Sequence, residues 1–255
     1  MIDVVNDLGF DLLKMYYGED YKITDRITLH PPTIGEIIEF GEMNCFKVLP
    51  IFTGNSTTFR LLLWEHGEDW NKISDYQLFL RHVRILTPEN TSLFFGDFDF
   101  SSLVPSLSND NLVLCDKKGK VVIDEGVYIR IAEYLRTIFD RHPKVEKAKG
   151  KTTKQWMIDE DKQNIENAKK LNKGSTQSHL LPLISGALNH PGFKYKKDEL
   201  KNVGVMEFFD SIKRLRVYEA STALLKGIYS GMIDVSKSPN IQNEIDWLRD
   251  LYKSS

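Results

Sequence analysis

Cysteine is nearly absent from this 255-residue chain: Cys45 and Cys115 are the two it has, and no Cys-x-x-Cys pair exists. That excludes a disulfide scaffold and thiolate zinc cages of the usual spacing. Set among apolar neighbours, both read as reduced core thiols. Long apolar runs are missing too; none approaches the ~18–20 residues that span a bilayer. The opening residues, MIDVVNDLGFDLLKMYYGED, lack the basic start of a signal peptide. A soluble protein of the cell interior, without membrane contact, is therefore the expectation. A large excess of positive charge is also lacking, since the formal net charge is −2. The whole molecule is not a nucleic-acid polycation.

Signatures of chemistry are equally scarce. There is no Gly-x-Ser-x-Gly elbow, no His-Glu-x-x-His pair and no Rossmann glycine pattern. The stretch GKTTK has the end of a phosphate-binding loop, but Val145 stands where the earlier glycine belongs. The six histidines are scattered, so His30 has no second histidine at ligand spacing. Asp97 and Asp99 alternate with phenylalanines but lack the further oxygen donors of a calcium loop, and read as a solvent-facing strand or turn. No catalytic, metal or cofactor residues are assigned, and the chain reads as a non-enzyme.

What is present is secondary-structure punctuation. In HPPTIGEIIEFGE, residues 30–42, two prolines hold the chain extended. Thr33 and Glu36 then have the spacing of a capping box, which predicts a helix through Phe40, with Glu39 and Glu42 on its wet side. A short helix from Leu8 to Tyr17 should end at Gly18, followed by a strand pair around Thr24 and Asp25. Ser56 or Thr57 is placed to cap the next helix, and Ser74 with Gln77 to box the one after. NLVLCDKKGKVVID reads as a hairpin. Asp124 precedes a long helix whose apolar set, Val127, Tyr128, Ile131, Tyr134, Leu135 and Ile138, follows the helical period.

Charge divides the chain. Residues 1–143 hold 14 Lys and Arg against 22 Asp and Glu, whereas residues 144–173 hold 9 against 5. The lysine-rich 144–155 reads as a linker or mobile loop. It separates an α+β N-terminal domain (1–143) from a helical C-terminal domain (156–255), giving a mainly α fold with a small β-hairpin component. In the second half the pattern predicts an exposed charged helix closed by Gly174 and a shorter helix around Pro182. Beyond these come a long helix over 205–229 and a last one bearing Ile241, Ile245, Leu248 and Leu251. Lys213, Arg214 and Arg216 beside Tyr218 form a small basic patch that reads as a solvated face rather than a nucleic-acid site.

Three stretches carry a resemblance: YKITDRITLHPPTIGEIIEFGE, WEHGEDWNKISDYQLF and GFKYKKDELKNVGVMEFFDSIKRLRVYEASTALLKGIYSGMIDVSK. Together, over roughly residues 10–253, the chain resembles proteins from the tail-gene region of tailed phages and prophages of low-GC Gram-positive bacteria. Their nearest description is tail assembly chaperone or tail-associated protein. The resemblance implies a helical protein that binds the tape measure protein, or another tail protein, in the cytoplasm of the infected host. A structural role in the virion, as a neck or tail adaptor, a nucleic-acid-binding or other interaction protein, and a homo-oligomer stay open. No functional residues carry over. The candidate partner surface comes instead from the 205–229 helix, where Phe208, Val217 and Leu225 fall off the face of Phe209, Ile212 and Leu215. A helix apolar on two sides is either wedged in a bundle or offers one side to a partner.

Overall fold

The computed structural model describes residues 8–171, 178–235 and 240–252. Helix α1 (Leu12–Tyr16) leads into the antiparallel pair β1 (Tyr21–Lys22) and β2 (Thr28–Leu29). Helices α2 (Ile34–Phe40), α3 (Glu42–Thr53), α4 (Arg60–Glu65), α5 (Asp75–His82) and α6 (Pro88–Phe95) follow. Strands β3 (Val104–Ser108), β4 (Asn111–Cys115) and β5 (Val121–Ile123) form an antiparallel meander. Then come α7 (Glu125–Ile138), α8 (Lys151–Leu171), α9 (Leu180–Asn189), α10 (Lys197–Leu200), α11 (Val205–Tyr229) and α12 (Ile241–Ile245). The described residues are 57% helical with two small sheets, so the fold is mainly α. All described strands precede residue 124.

Local chemistry sets several helix starts as their spacing predicts. Glu36 N–H donates to Thr33 Oγ1 at 3.2 Å, and Thr33 N–H donates to Glu36 Oε2 at 2.7 Å. Ser74 and Gln77 make the same reciprocal pair at α5, and Asp124 Oδ1 accepts from Val127 N–H at α7. Elsewhere the structure departs from the pattern. Asn55, not Ser56 or Thr57, receives the Thr58 N–H ahead of α4. The phenylalanine-rich stretch ends helix α6 and enters a 3₁₀ turn at 100–102, burying Phe94, Phe95 and Phe100. Of the strand or turn expected there the structure forms the turn, with Asp97 exposed. Glu42 leaves the solvent side of its own helix and caps α9 from 138 residues away. Its carboxylate accepts from Leu180 N–H at 2.6 Å, from Ser178 Oγ at 2.6 Å and from His179 N–H. Gly174, the stop expected after α8, lies outside the described residues.

One apolar cluster runs from Phe10 to Phe208. At its centre α3 packs on α7, α6 and α5. Phe52 lies 5.1–5.7 Å, centroid to centroid, from Phe79, Phe95 and Phe100, and Phe79 stacks on Tyr128 at 4.9 Å. Each such ring contributes about 1.5–3 kcal/mol by leaving water. Leu180, Ala187, Val205, Met206 and Phe208 belong to the same cluster, so the core does not divide at the lysine-rich stretch.

That stretch is held rather than loose over 144–151. Asn55 Nδ2 donates to Lys144 O, Trp70 Nε1 to Glu146 O, and Asn71 Nδ2 to Ala148 O, at 2.6–3.1 Å. Arg60 bridges Glu146 and Asp161, clamping the stretch to the first half of α8. Ala148 and Ile158 are buried in a second, smaller cluster with Leu63, Trp70 and Leu78. Lysine density misled the linker reading because the anchors are backbone carbonyls, which composition does not display. The 151–155 end already belongs to α8.

The opening motif meets the start of α11. Thr33 and Gly204 form an isolated antiparallel bridge; Ile34 N–H donates to Val203 O and Val205 N–H to Pro32 O.

Candidate functional site

Helix α11 enters the core through its first turn and then leaves it. Val205, Met206 and Phe208 are buried, whereas beyond them Ser221 alone of the described α11 residues is. Phe208 is 0% exposed and edge-on to Phe209 at 5.6 Å, so it is unavailable to a partner and drops out of the expected recognition face. Phe209 is half-buried against Phe139. Ile212 and Leu215 line a cleft of about 260 Å³ between α9 and α11, walled opposite by Pro182 and Leu183. Val217 and Leu225 are half-buried and line neither this cleft nor the next.

Leu215 is shared with a larger cleft of about 490 Å³ on the adjacent face of the helix. Its walls are Tyr16 from α1, Phe193 and Tyr195 from the loop after α9, Tyr218 from α11 and Trp247 from beyond α12. Phe193 and Tyr195 meet edge to face at 5.6 Å, as do Tyr218 and Trp247. Along the 193–196 loop the odd positions are half-buried and Lys194 and Lys196 exposed, which turns the rings inward and the ammonium groups out. This aromatic convergence is the part that sequence reasoning missed. The rings come from four places in the chain, and the local signal was the alternation in FKYK.

Polar groups sit on the cleft floor. Asp210 Oδ1 accepts from Tyr252 Oη at 3.1 Å, and Arg214 lies one turn further along. Arg214 Nη1 donates to Trp247 O at 3.2 Å and to Arg249 O at 2.7 Å. Lys213 pairs with Asp140 at 2.6 Å. Two of the three charges in the expected basic patch are therefore engaged. Burial and the Asp210 charge push the Tyr252 hydroxyl well above its ordinary range. The hydrogen bond to Glu207, with burial behind it, raises Tyr195 to about 12. Both stay protonated at neutral pH and act as donors, not as bases.

Other candidate residues are structural. His30 lies 2.8 Å from Asp20 and 3.2 Å from Glu36. Asp99 caps the 3₁₀ turn by accepting from Ser101 N–H. Cys45 and Cys115 are buried, and burial holds the Cys45 thiol up at about 12. Among the described residues no group of three or more His, Cys, Asp or Glu is placed to hold a metal ion. No described helix is long and apolar enough to cross a membrane.

The chain matches no family model, no curated protein and no solved structure.

Proposed function

We propose that the chain is a phage tail-morphogenesis protein that acts as a tail assembly chaperone, holding an apolar segment of the tape measure protein against α11. In this reading it is an interaction protein of the host cytoplasm and carries out no reaction. The observation that supports it best is the pair of apolar clefts flanking Leu215. A helix whose apolar residues were all needed for folding would be fully covered; beyond Phe209 the apolar residues of α11 are at most half-buried, and the two clefts open beside Leu215. Grooves lined by aliphatic and aromatic side chains take the apolar face of a partner helix, read at i, i+3 or i+4 and i+7. The tail-gene resemblance supplies the kind of partner.

The test is co-expression of the tagged full chain with fragments of a tape measure protein from the same tail-gene region. The wild type should retain a fragment, and Leu215→Asp should reduce retention at least tenfold while the far-UV circular dichroism spectrum stays the same. Failure of the wild type to retain any fragment, or full retention by Leu215→Asp, overturns the assignment. Purified virions should lack the chain; stoichiometric presence there would favour a structural part of the tail instead.

A further inference from the structure

Residues 246–252 form a strap with neither helix nor strand, laid along α11 from Tyr218 back to Asp210. Its attachment is specific. The Trp247 ring meets Tyr218 edge-on at 5.6 Å, two strap carbonyls accept from Arg214, and Tyr252 Oη donates to Asp210. Yet the middle of the strap is thinly packed, with Trp247 44% and Leu248 68% exposed, while Tyr252 anchors its end against the core. Its helical potential is spent elsewhere. Arg249 Nη1 turns back to the carbonyls of Asn243, Glu244 and Asp246, acceptors that a continuing helix would have used.

We infer that the α11 face carrying Tyr218, Arg214 and Asp210, which borders the aromatic cleft, is a peptide-binding site occupied in cis by its own strap, and that the partner segment enters by displacing residues 246–252. The inference rests on the chaperone reading for the identity of the partner, but not for the existence of the site. The strap also defines what fits. The incoming segment must supply an aromatic or large aliphatic side chain to Tyr218 and Phe193. It must offer backbone carbonyls to Arg214, as the frayed C-terminal turn of a helix does, and a donor to Asp210. A hydroxyl-bearing aromatic side chain meets that last requirement. With the strap seated, Asp210 and Arg214 are both satisfied, so the empty protein does not present bare charges. The strap reduces the apparent affinity of any partner by the fraction of molecules in which it is open.

The experiment uses the full-length chain and a fluorescent synthetic peptide of residues 246–252, DWLRDLY, followed by anisotropy. Wild type should bind it weakly. Trp247→Ala and Tyr252→Phe, each loosening the resident strap, should bind it at least tenfold and about threefold more tightly. Arg214→Ala in the Trp247→Ala background should lose binding. Hydrogen exchange over 246–252 should quicken in both loosened variants while residues 205–212 stay protected, which excludes general unfolding. Equal affinity in all variants, or no binding in any, overturns the inference. A retained tape measure fragment that leaves the peptide in place overturns displacement while sparing the chaperone reading. Peptide binding without capture of any fragment supports the self-occupied site and removes the chaperone reading.

Discussion

Gly35 lies directly against the Lys201 carbonyl. Its N–H donates to that oxygen at 2.8 Å, and a Cβ at position 35 would stand 2.7 Å from it. The contact belongs to the seam that joins the opening motif to the start of α11, with Thr33 facing Gly204. Gly35→Ala cannot be absorbed by a side-chain rotation, since the atom it meets is backbone. A cost of about 1–3 kcal/mol is expected, typical of overpacking. Thermal melting should shift down and amide exchange at 201–205 should quicken; an unchanged melt would show that the seam gives way without penalty.

Thr33→Ala removes the oxygen that accepts the Glu36 N–H. The loss should be about 0.5–2 kcal/mol in chemical denaturation, with Thr33→Ser recovering most of it. Equal losses for alanine and serine would point to the methyl group and its packing rather than to the cap.

Stability should depend on pH through His30. Burial alone lowers its pKa, but hydrogen bonds to Asp20 and Glu36 more than reverse this, and the folded value lies above the ordinary 6.5. Its contribution is complete below 6.5 and is lost as pH rises through the raised folded value. For Glu36, burial raises the pKa, and hydrogen bonds from Thr33 and His30 overcome it, bringing the value below 4.5. That contribution is present above 4.5 and disappears as pH falls through the depressed value. The melting temperature should therefore plateau between 4.5 and 6.5 and fall on both sides. In His30→Gln the deficit relative to wild type should be largest on that plateau and shrink as pH rises through the raised folded value. A deficit constant with pH would rule out the ionic role.

Phe208→Asp should unfold the protein. The side chain is 0% exposed, and an unpaired carboxylate there costs at least about 3–5 kcal/mol, against a typical total of 5–15 kcal/mol. Soluble, cooperatively melting Phe208→Asp would place this ring outside the core and restore it to the surface.

A lysine-specific protease should spare Lys147 and Lys149 in the native chain, because the backbone on either side is tied to Asn55, Trp70 and Asn71. Arg60→Ala cuts the bridge between Glu146 and Asp161 and should open these bonds to cleavage. Rapid cutting of the wild type at Lys147 or Lys149 would mean that the stretch is a free linker after all.

The residues by themselves determined whatever is closed within a few positions along the chain. Thr33 with Glu36, Ser74 with Gln77, and Asp124 with Val127 bond across three residues. The period of Tyr128, Ile131, Tyr134 and Leu135 names the buried face of α7 in the same way. Those interactions carry their partners with them, so capping and periodicity expose them, and the mainly α class follows. Tertiary structure alone decided where a partner lies far away. Glu42 caps α9, Arg60 pins the lysine-rich stretch, and Arg249 and Arg214 take the carbonyls that would have continued α12 through Leu248 and Leu251. Of the six residues expected to form a face on α11, Ile212 and Leu215 line a cleft. The burial of Phe208 was not legible, because a helical period places residues on sides but does not say which side meets the core. The aromatic cleft was invisible for the strongest reason: Tyr16, Phe193, Tyr218 and Trp247 become neighbours only once α1, the 193–196 loop, α11 and the strap have packed together.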